Sequence, residues 1–155
     1  MKKIIVFLAL TISMFSETVS VDMDFLLKSH PKLTTVKKEL ETQKTKLEKD
    51  LNAKGTKLKT EYEALSKKGS KITDAEKQSF AKKDKELSVL YMKSQKDLAT
   101  LENTKINALL KEIKTAISTY AKSKKYDAVV EKKTIYYGND KVKDISNEVL
   151  KTIKK

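Results

Sequence analysis

Lys67-Lys68-Gly69-Ser70-Lys71-Ile72-Thr73-Asp74-Ala75-Glu76 is the stretch on which the reading of this chain turns. Gly69 reads as the C-terminal cap of one helix, because glycine enters the left-handed region without the penalty of a Cβ. Thr73, followed three residues later by Glu76, reads as a capping box that opens the next helix. Two helices joined by so short a connection are antiparallel neighbours. The stretch therefore predicts the tip of a helical hairpin.

Apolar residues extend the hairpin in both directions. Upstream they fall at Leu33, Val36, Leu40, Leu47, Leu51, Leu58, Tyr62 and Leu65, with polar gaps at Gln43 and Lys54. These heptad-like spacings make one narrow seam. His30-Pro31 opens this helix, with proline at the first helical position and Ser29 or His30 as the cap. Downstream the seam runs through Phe80, Leu87, Leu90 or Tyr91, Leu98, Leu101, Ile106, Leu109, Ile113, Ile117 and Tyr120. The first arm has about 35 residues, roughly 50 Å at 1.5 Å per residue, and the second about 48. Large apolar residues are sparse from Asn52 to Ser79 and dense at Leu109, Leu110, Ile113 and Ile117. The distal half is thus predicted to be weakly held. Pairs such as Lys37-Glu41, Lys44-Glu48, Lys57-Glu61, Lys59-Glu63 and Lys82-Glu86 place the lysine first, the less favourable order on a helix.

Both chain ends change character. Val19 and Val21 alternate with Thr18, Ser20 and Asp22, the pattern of a half-buried strand, and Met23 to Ser29 is a brief apolar turn of helix. Tyr126 to Glu131 and Thr134 to Tyr137 read as further strands, with the tyrosines packed in the sheet and Gly138-Asn139-Asp140 as a bend. Val142 to Ile145 reads as a third short strand of this end. Ser146 is the expected cap of a last helix, with Ile145 and Leu150 as its hydrophobic staple and Lys151, Lys154 and Lys155 at its negative end. The terminal strands are expected to meet at the base of the hairpin as one small sheet. The expected fold is α+β: a coiled-coil arm over 31–122 with its tip near 67–73, on a β body formed by 17–30 and 123–155. A sheet of three or four short strands is marginal alone, so oligomerisation is expected to close its edges.

Composition agrees with long helices. Of 155 residues, 35% are charged and 6% aromatic, with one Pro, three Gly and no Cys. Such a chain buries a thin core rather than a broad one. Disulfides and thiolate chemistry are excluded. The net charge is +13, and all 34 basic residues are lysine. Without the planar arginine fork, selective readout of phosphates or base edges is disfavoured, so no specific nucleic-acid partner is expected. The lysines supply a diffuse field that steers acidic chains or anionic lipid. Met1-Lys2-Lys3 followed by the apolar run Ile4 to Phe15 has the layout of a secretory signal peptide over 1–16, too short to anchor in a bilayer. The chain is therefore expected to be exported.

No catalytic constellation emerges. His30 is the only histidine and reads as a structural cap or a surface residue. There is no Gly-rich phosphate loop. No enzyme activity, cofactor or metal is expected. The lysine clusters Lys67-Lys68-Lys71, Lys82-Lys83-Lys85 and Lys122-Lys124-Lys125 are read as solvated helix surface and as an electrostatic lining together. Non-specific phosphate attraction by a basic protein, or a structural coiled coil of the envelope, are the rival readings.

The order of parts resembles the periplasmic chaperone family Skp, also called OmpH-like. The resemblance is carried by Tyr126-Asp127-Ala128-Val129-Val130-Glu131, by Ile135-Tyr136-Tyr137-Gly138-Asn139-Asp140, and by Val142-Lys143-Asp144-Ile145-Ser146 with Val149-Leu150. Val21-Asp22-Met23 and Phe25-Leu26 resemble the family's N-terminal motif, although the strand before Asp22 is thinner than is usual there. The resemblance implies a homotrimer with a β-barrel body and three helical arms around a cavity. It also implies a periplasmic holdase that keeps unfolded outer-membrane proteins from aggregating without ATP. On that reading Leu58, Tyr62, Leu65, Lys67, Lys68, Lys71, Ile72, Phe80, Lys82, Lys83 and Lys85 are the expected client-contact residues. Val19, Val21, Val129, Ile135, Tyr137 and Ile145 are the expected assembly residues.

Overall fold

The hairpin turn is built by the local chemistry its residues dictate. In a computed structural model, which describes residues 17–154, Gly69 ends helix α2 (Leu33–Lys68) at φ 55° and ψ −124°. Side chains with a Cβ avoid that region. The Gly69 N–H donates to the Ser66 carbonyl. One 3₁₀ turn, Gly69–Lys71, follows before helix α3 (Asp74–Lys124) begins. The capping box is complete. The Glu76 N–H donates to Thr73 Oγ1 at 3.2 Å, and the Thr73 N–H donates to Glu76 Oε2 at 3.0 Å, which satisfies two donors that the helix start otherwise orphans. The signal-peptide reading of 1–16 lies outside the described residues.

The chain divides into two units, one holding 27–112 and the other 17–26 with 113–154. In the first, α2 and α3 lie antiparallel. Glu39 pairs with Lys105 at 2.7 Å, Glu61 with Lys83 at 2.6 Å, and Lys68 with Glu76, so partners on α2 and α3 run in opposite directions. The seam is thin. Leu40, Leu47, Leu51, Leu58, Leu65, Phe80, Leu87, Leu90, Leu98 and Leu101 are half-buried, and no residue between Val36 and Ser94 is buried. Leu90, not Tyr91, occupies the seam position. None of the five lysine-first pairs named above is closed; Glu61 takes Lys83 across the hairpin instead of Lys57.

In the second unit, strand β1 (Thr18–Val21) and strand β2 (Ala128–Glu131) form a two-stranded parallel sheet, with Val19 opposite Val129 and Val21 opposite Glu131. The meeting of the two chain ends is as expected, but the sheet is smaller. The segment 142–145 contributes one bridge, Ser20 to Asp144. The Ser20 N–H donates to the Lys143 carbonyl at 2.8 Å, and the Ile145 N–H to the Ser20 carbonyl at 2.9 Å. A single exchange of bonds aligns the segment without extending it as a strand. Ile135 to Tyr137 is not a strand either. A 3₁₀ turn at Lys132–Thr134 bends the chain away after β2. Tyr136 and Tyr137 are 100% and 89% exposed, not packed in the sheet.

Helix α1 (Met23–Lys28) is capped by Asp22, whose Oδ1 accepts the Phe25 N–H at 2.9 Å. Helix α4 (Ser146–Ile153) does not use Ser146 as its cap. Asp144 Oδ1 accepts the Ser146 N–H at 2.9 Å, and Ser146 Oγ accepts the Asp22 N–H at 2.8 Å. The serine hydroxyl accepts this long-range bond and itself donates to Asp144 Oδ1 at 2.5 Å, so it links Asp22 to the start of α4 instead of capping the helix. Val19, Ile145 and Val149 are fully buried here, with Val21 and Leu150 nearly so.

Candidate functional site

The expected contact residues sit on the distal arm. Leu58, Leu65 and Phe80 are half-buried in the seam, as helix periodicity requires, and Ile72 is half-buried in the turn between the helices. Tyr62 is exposed, but its ring lies 5.6 Å from that of Phe80 at a tilt of 42°, a favourable aromatic geometry. Leu58 and Lys83 line one groove between the helices, of about 370 Å³, together with Lys54, Lys57, Glu61, Glu86, Leu87 and Leu90. The structure therefore joins Tyr62 to Phe80 and Leu58 to Lys83. It leaves Leu65, Lys67, Lys71 and Ile72 outside that groove, nearer the turn.

The lysines divide into two groups. Lys68 and Lys83 are tied to Glu76 and Glu61. Lys67, Lys71, Lys82 and Lys85 are exposed and close no ion pair among the described residues. Glu76 has its pKa held down to about 2, first by the Lys68 hydrogen bond and then by the Thr73 N–H and hydroxyl. The turn thus keeps its carboxylate charged and occupied, so it does not compete for the free lysines. Exposed pairs of this kind add little stability. Their effect is to orient, while the unpaired ammonium groups set the field.

At the other end of this unit His30 is buried, not a surface residue. Its Nδ1 accepts the Lys32 N–H at 3.2 Å, which ties the ring to the turn that precedes α2. Pro31 and Lys32 form a turn, and the helix begins at Leu33 rather than at the proline. With Nδ1 accepting, the neutral ring carries its proton on Nε2. That atom has no hydrogen-bond partner among the described residues; Glu112 Oε2 lies 3.5 Å away. Burial lowers the His30 pKa below its ordinary value, against the pull of Glu112. The Glu112 carboxyl is held low in turn, chiefly by Lys32 Nζ at 2.7 Å. This is a structural cluster. Among the described residues no group of His, Cys, Asp or Glu is arranged to hold a metal, and no helix is long and apolar enough to cross a membrane.

The expected assembly residues are also distributed unevenly. Val19, Val21 and Ile145 are buried within the single chain. Val129 and Ile135 are half-buried, and Tyr137 is exposed with Lys141 Nζ 6.0 Å from its ring centre. The outer edge of β2 carries no strand partner among the described residues. Around the sheet, Lys132 binds Asp144 at 2.8 Å and Lys133 binds Asp24. Burial would raise the Asp144 pKa, but the bonds from Lys132 and Ser146 hold it below the ordinary value.

A lysine-rich helical hairpin in one unit, and in the other a small sheet uniting both chain ends, is the arrangement the terminal motifs suggested. The sequence profile of the family described as outer membrane protein (OmpH-like) matches residues 18–153. The chain belongs to the OmpH-like family. Over 60 residues it is 38% identical to the chaperone protein Skp of Salmonella typhimurium, and equally to that of Salmonella typhi. Each alignment covers 39% of this chain and 37% of the relative, so the match spans little more than a third of the length of these curated proteins. The fold is similar to a crystal structure described as an OmpH-like outer membrane chaperone of Caulobacter crescentus CB15, with a TM-score of 0.70 at 20% identity. That superposition covers 88% of this chain and 82% of the other. The family is one of chaperones rather than enzymes.

Sequence reasoning missed three features of this OmpH-like chain. Ser94 is buried in the α3 seam although it breaks the apolar pattern. Glu61 is the carboxylate that ties Lys83 into the groove. Val89 and Met92 are exposed on α3. The last pair was legible in principle, because both fall off the heptad seam among lysines.

Proposed function

We propose that this OmpH-like protein is an ATP-independent periplasmic holdase. It is exported by the signal peptide over 1–16 and assembles as a homotrimer whose bodies join at a β-barrel. The arms take hold of unfolded outer-membrane proteins and prevent their aggregation. The observation that carries this reading is the arm itself: an extended hairpin in which no residue between Val36 and Ser94 is buried, bearing exposed, unpaired lysines. A rigid receptor needs a preformed pocket; a holdase needs a yielding surface that makes many weak contacts. The lysines raise the encounter rate with acidic unfolded chains. Leu58, Tyr62, Leu65, Ile72 and Phe80 then contribute apolar contacts of low individual strength, which several arms combine through effective concentration. Binding only the unfolded client suppresses its aggregation by mass action, so no fuel is required. The unpaired edge of β2 supports assembly, because a two-stranded sheet is marginal alone and an open edge invites another strand.

The test dilutes urea-denatured outer-membrane porin into buffer with and without the purified mature protein and follows light scattering. Suppression of aggregation near equimolar trimer is expected, weakening as salt rises. Aggregation at the rate of porin alone would reject the holdase reading. Mass measurement by multi-angle light scattering tests assembly separately, and a strict monomer at micromolar concentration would reject the trimer. Deleting Leu58 to Leu87 is expected to keep the oligomer and abolish client holding.

A further inference from the structure

The side of α3 turned away from the seam differs from the rest of the arm. At 3.6 residues per turn, Lys82, Lys85, Val89, Met92, Lys93 and Lys96 fall within an arc of about 100°, opposite Leu87, Leu90 and Ser94. No Asp or Glu of this stretch shares the arc; Asp84, Glu86 and Asp97 lie outside it. All six side chains are exposed, Val89 at 50% and Met92 at 61%. None of the four lysines closes an ion pair among the described residues. Val89 and Met92 are three apart, so they are neighbours on the helix surface. Neither contributes to the hairpin seam, and a solvated helix face gains nothing from a β-branched valine there.

We propose that this face of α3 is a docking strip for an extended segment of unfolded polypeptide in which apolar side chains are bracketed by carboxylates. The inference rests on the holdase reading above and narrows it from the whole arm to one strip. Its dimensions fit: Lys82 to Lys96 spans roughly 20 Å of helix, the length of about six residues in extended conformation. Its chemistry is complementary, with a two-residue apolar centre between cations of a single sign. The alternatives fit less well. A second α3 against the same strip would set lysine against lysine and lacks the repeating apolar positions of a coiled coil. A membrane surface requires a broad apolar face with large anchors, which two residues do not supply. One strip binds weakly, so its effect is felt through several strips acting together.

The experiment uses the full mature chain and urea-denatured porin. Val89→Gln with Met92→Gln removes the apolar centre while keeping helix-forming residues. Lys85→Gln, Lys93→Gln and Lys96→Gln remove the charge. Lys38→Gln, Lys46→Gln and Lys49→Gln on α2 form a control with the same change in net charge. Circular dichroism and light-scattering mass are measured for each. The strip predicts that the first variant raises the concentration needed to hold porin about tenfold with unchanged helicity and mass. It predicts that the second slows client capture more than the control does. If the wild-type protein does not hold porin, the holdase reading fails. If the wild type holds porin and the Val89/Met92 variant holds it equally well, the strip is wrong while the holdase reading stands. A variant that changes oligomer mass, or only binding to phosphatidylglycerol vesicles, would assign the strip to a second copy or to lipid and overturn the proposal.

Discussion

The β1–β2 unit and the hairpin unit are made from the same lysine-rich chain, yet they are held together differently. In the β1–β2 unit, Val19, Ser20, Val21, Leu26, Ile113, Ala121, Ile145, Ser146, Val149 and Leu150 are buried. Bonds between residues more than a hundred positions apart, such as Asp22 to Ser146 and Glu17 to Asp127, lock the sheet and its flanks. In the hairpin unit, only His30, Val36, Ser94 and Leu109 are buried. Its cross-helix bonds are exposed lysine–carboxylate pairs, which contribute little in water. The difference lies in how much apolar surface is removed from water. Stability should therefore be graded, with the hairpin opening locally at lower cost than the sheet.

The sharpest way to break this contrast is to cut one side chain in each unit. Ile145→Ala removes a fully buried residue and should cost about 3 kcal/mol in urea unfolding. Leu58→Ala, in the half-buried seam, should cost about 1 kcal/mol. Equal losses would show that the hairpin is as tightly packed as the sheet.

A smaller effect is expected at the hairpin turn. Gly69→Ala places a Cβ at positive φ and should cost about 1 kcal/mol. Thr73→Ala removes the capping hydroxyl at a similar cost of about 1 kcal/mol. Amide exchange should accelerate near residues 60–85 in both variants and stay unchanged at Ile145 to Leu150. Acceleration at both places would mean that the turn and the sheet unfold as one.

The third prediction is a slope with pH. His30 is neutral in the fold and its pKa lies below 6.5, chiefly through burial. As pH falls, the unfolded chain takes up the proton first. The contribution is fully present above about 6.5 and is lost as pH drops through the lowered folded value. Protonation would also set an N–H on Nδ1 against the Lys32 N–H it now accepts. Glu76 and Glu112, both held below their ordinary values, retain their charge in this range. The urea midpoint should therefore be lower at pH 5.5 than at pH 7.5. His30→Gln should flatten that difference, and an unchanged slope would remove His30 as its source.

The smallest effect belongs to the exposed pairs. Lys83→Gln breaks the contact with Glu61 and should cost only a few tenths of a kcal/mol. A loss near that of Ile145→Ala would make the ion pairs, not the seam, the support of the hairpin.

Much of the hairpin was legible because its signals are local. Gly69 marks a positive φ, Thr73 and Glu76 satisfy each other across three residues, and the leucine spacing sets the face. Less of the sheet could be read. Ile135-Tyr136-Tyr137 has strand-forming residues, but strand propensity takes effect only within a ladder, and among the described residues this segment joins none. Nor could His30 be read as buried, since its burial depends on packing rather than on its neighbours in sequence. The contact residues at the turn were chosen by charge and hydrophobicity, which do not show that Lys68 and Lys83 are already paired.

Sequence alone determined that the chain has two long antiparallel helices, where they turn, and that both of its ends carry strand-forming residues. Those properties follow from backbone sterics, capping and periodicity, all decided within a few residues. Tertiary structure decided that β1 and β2 run parallel with Val19 opposite Val129, and that Ser146 bonds Asp22 rather than capping α4. Each depends on which distant group supplies the partner, and no local pattern encodes that.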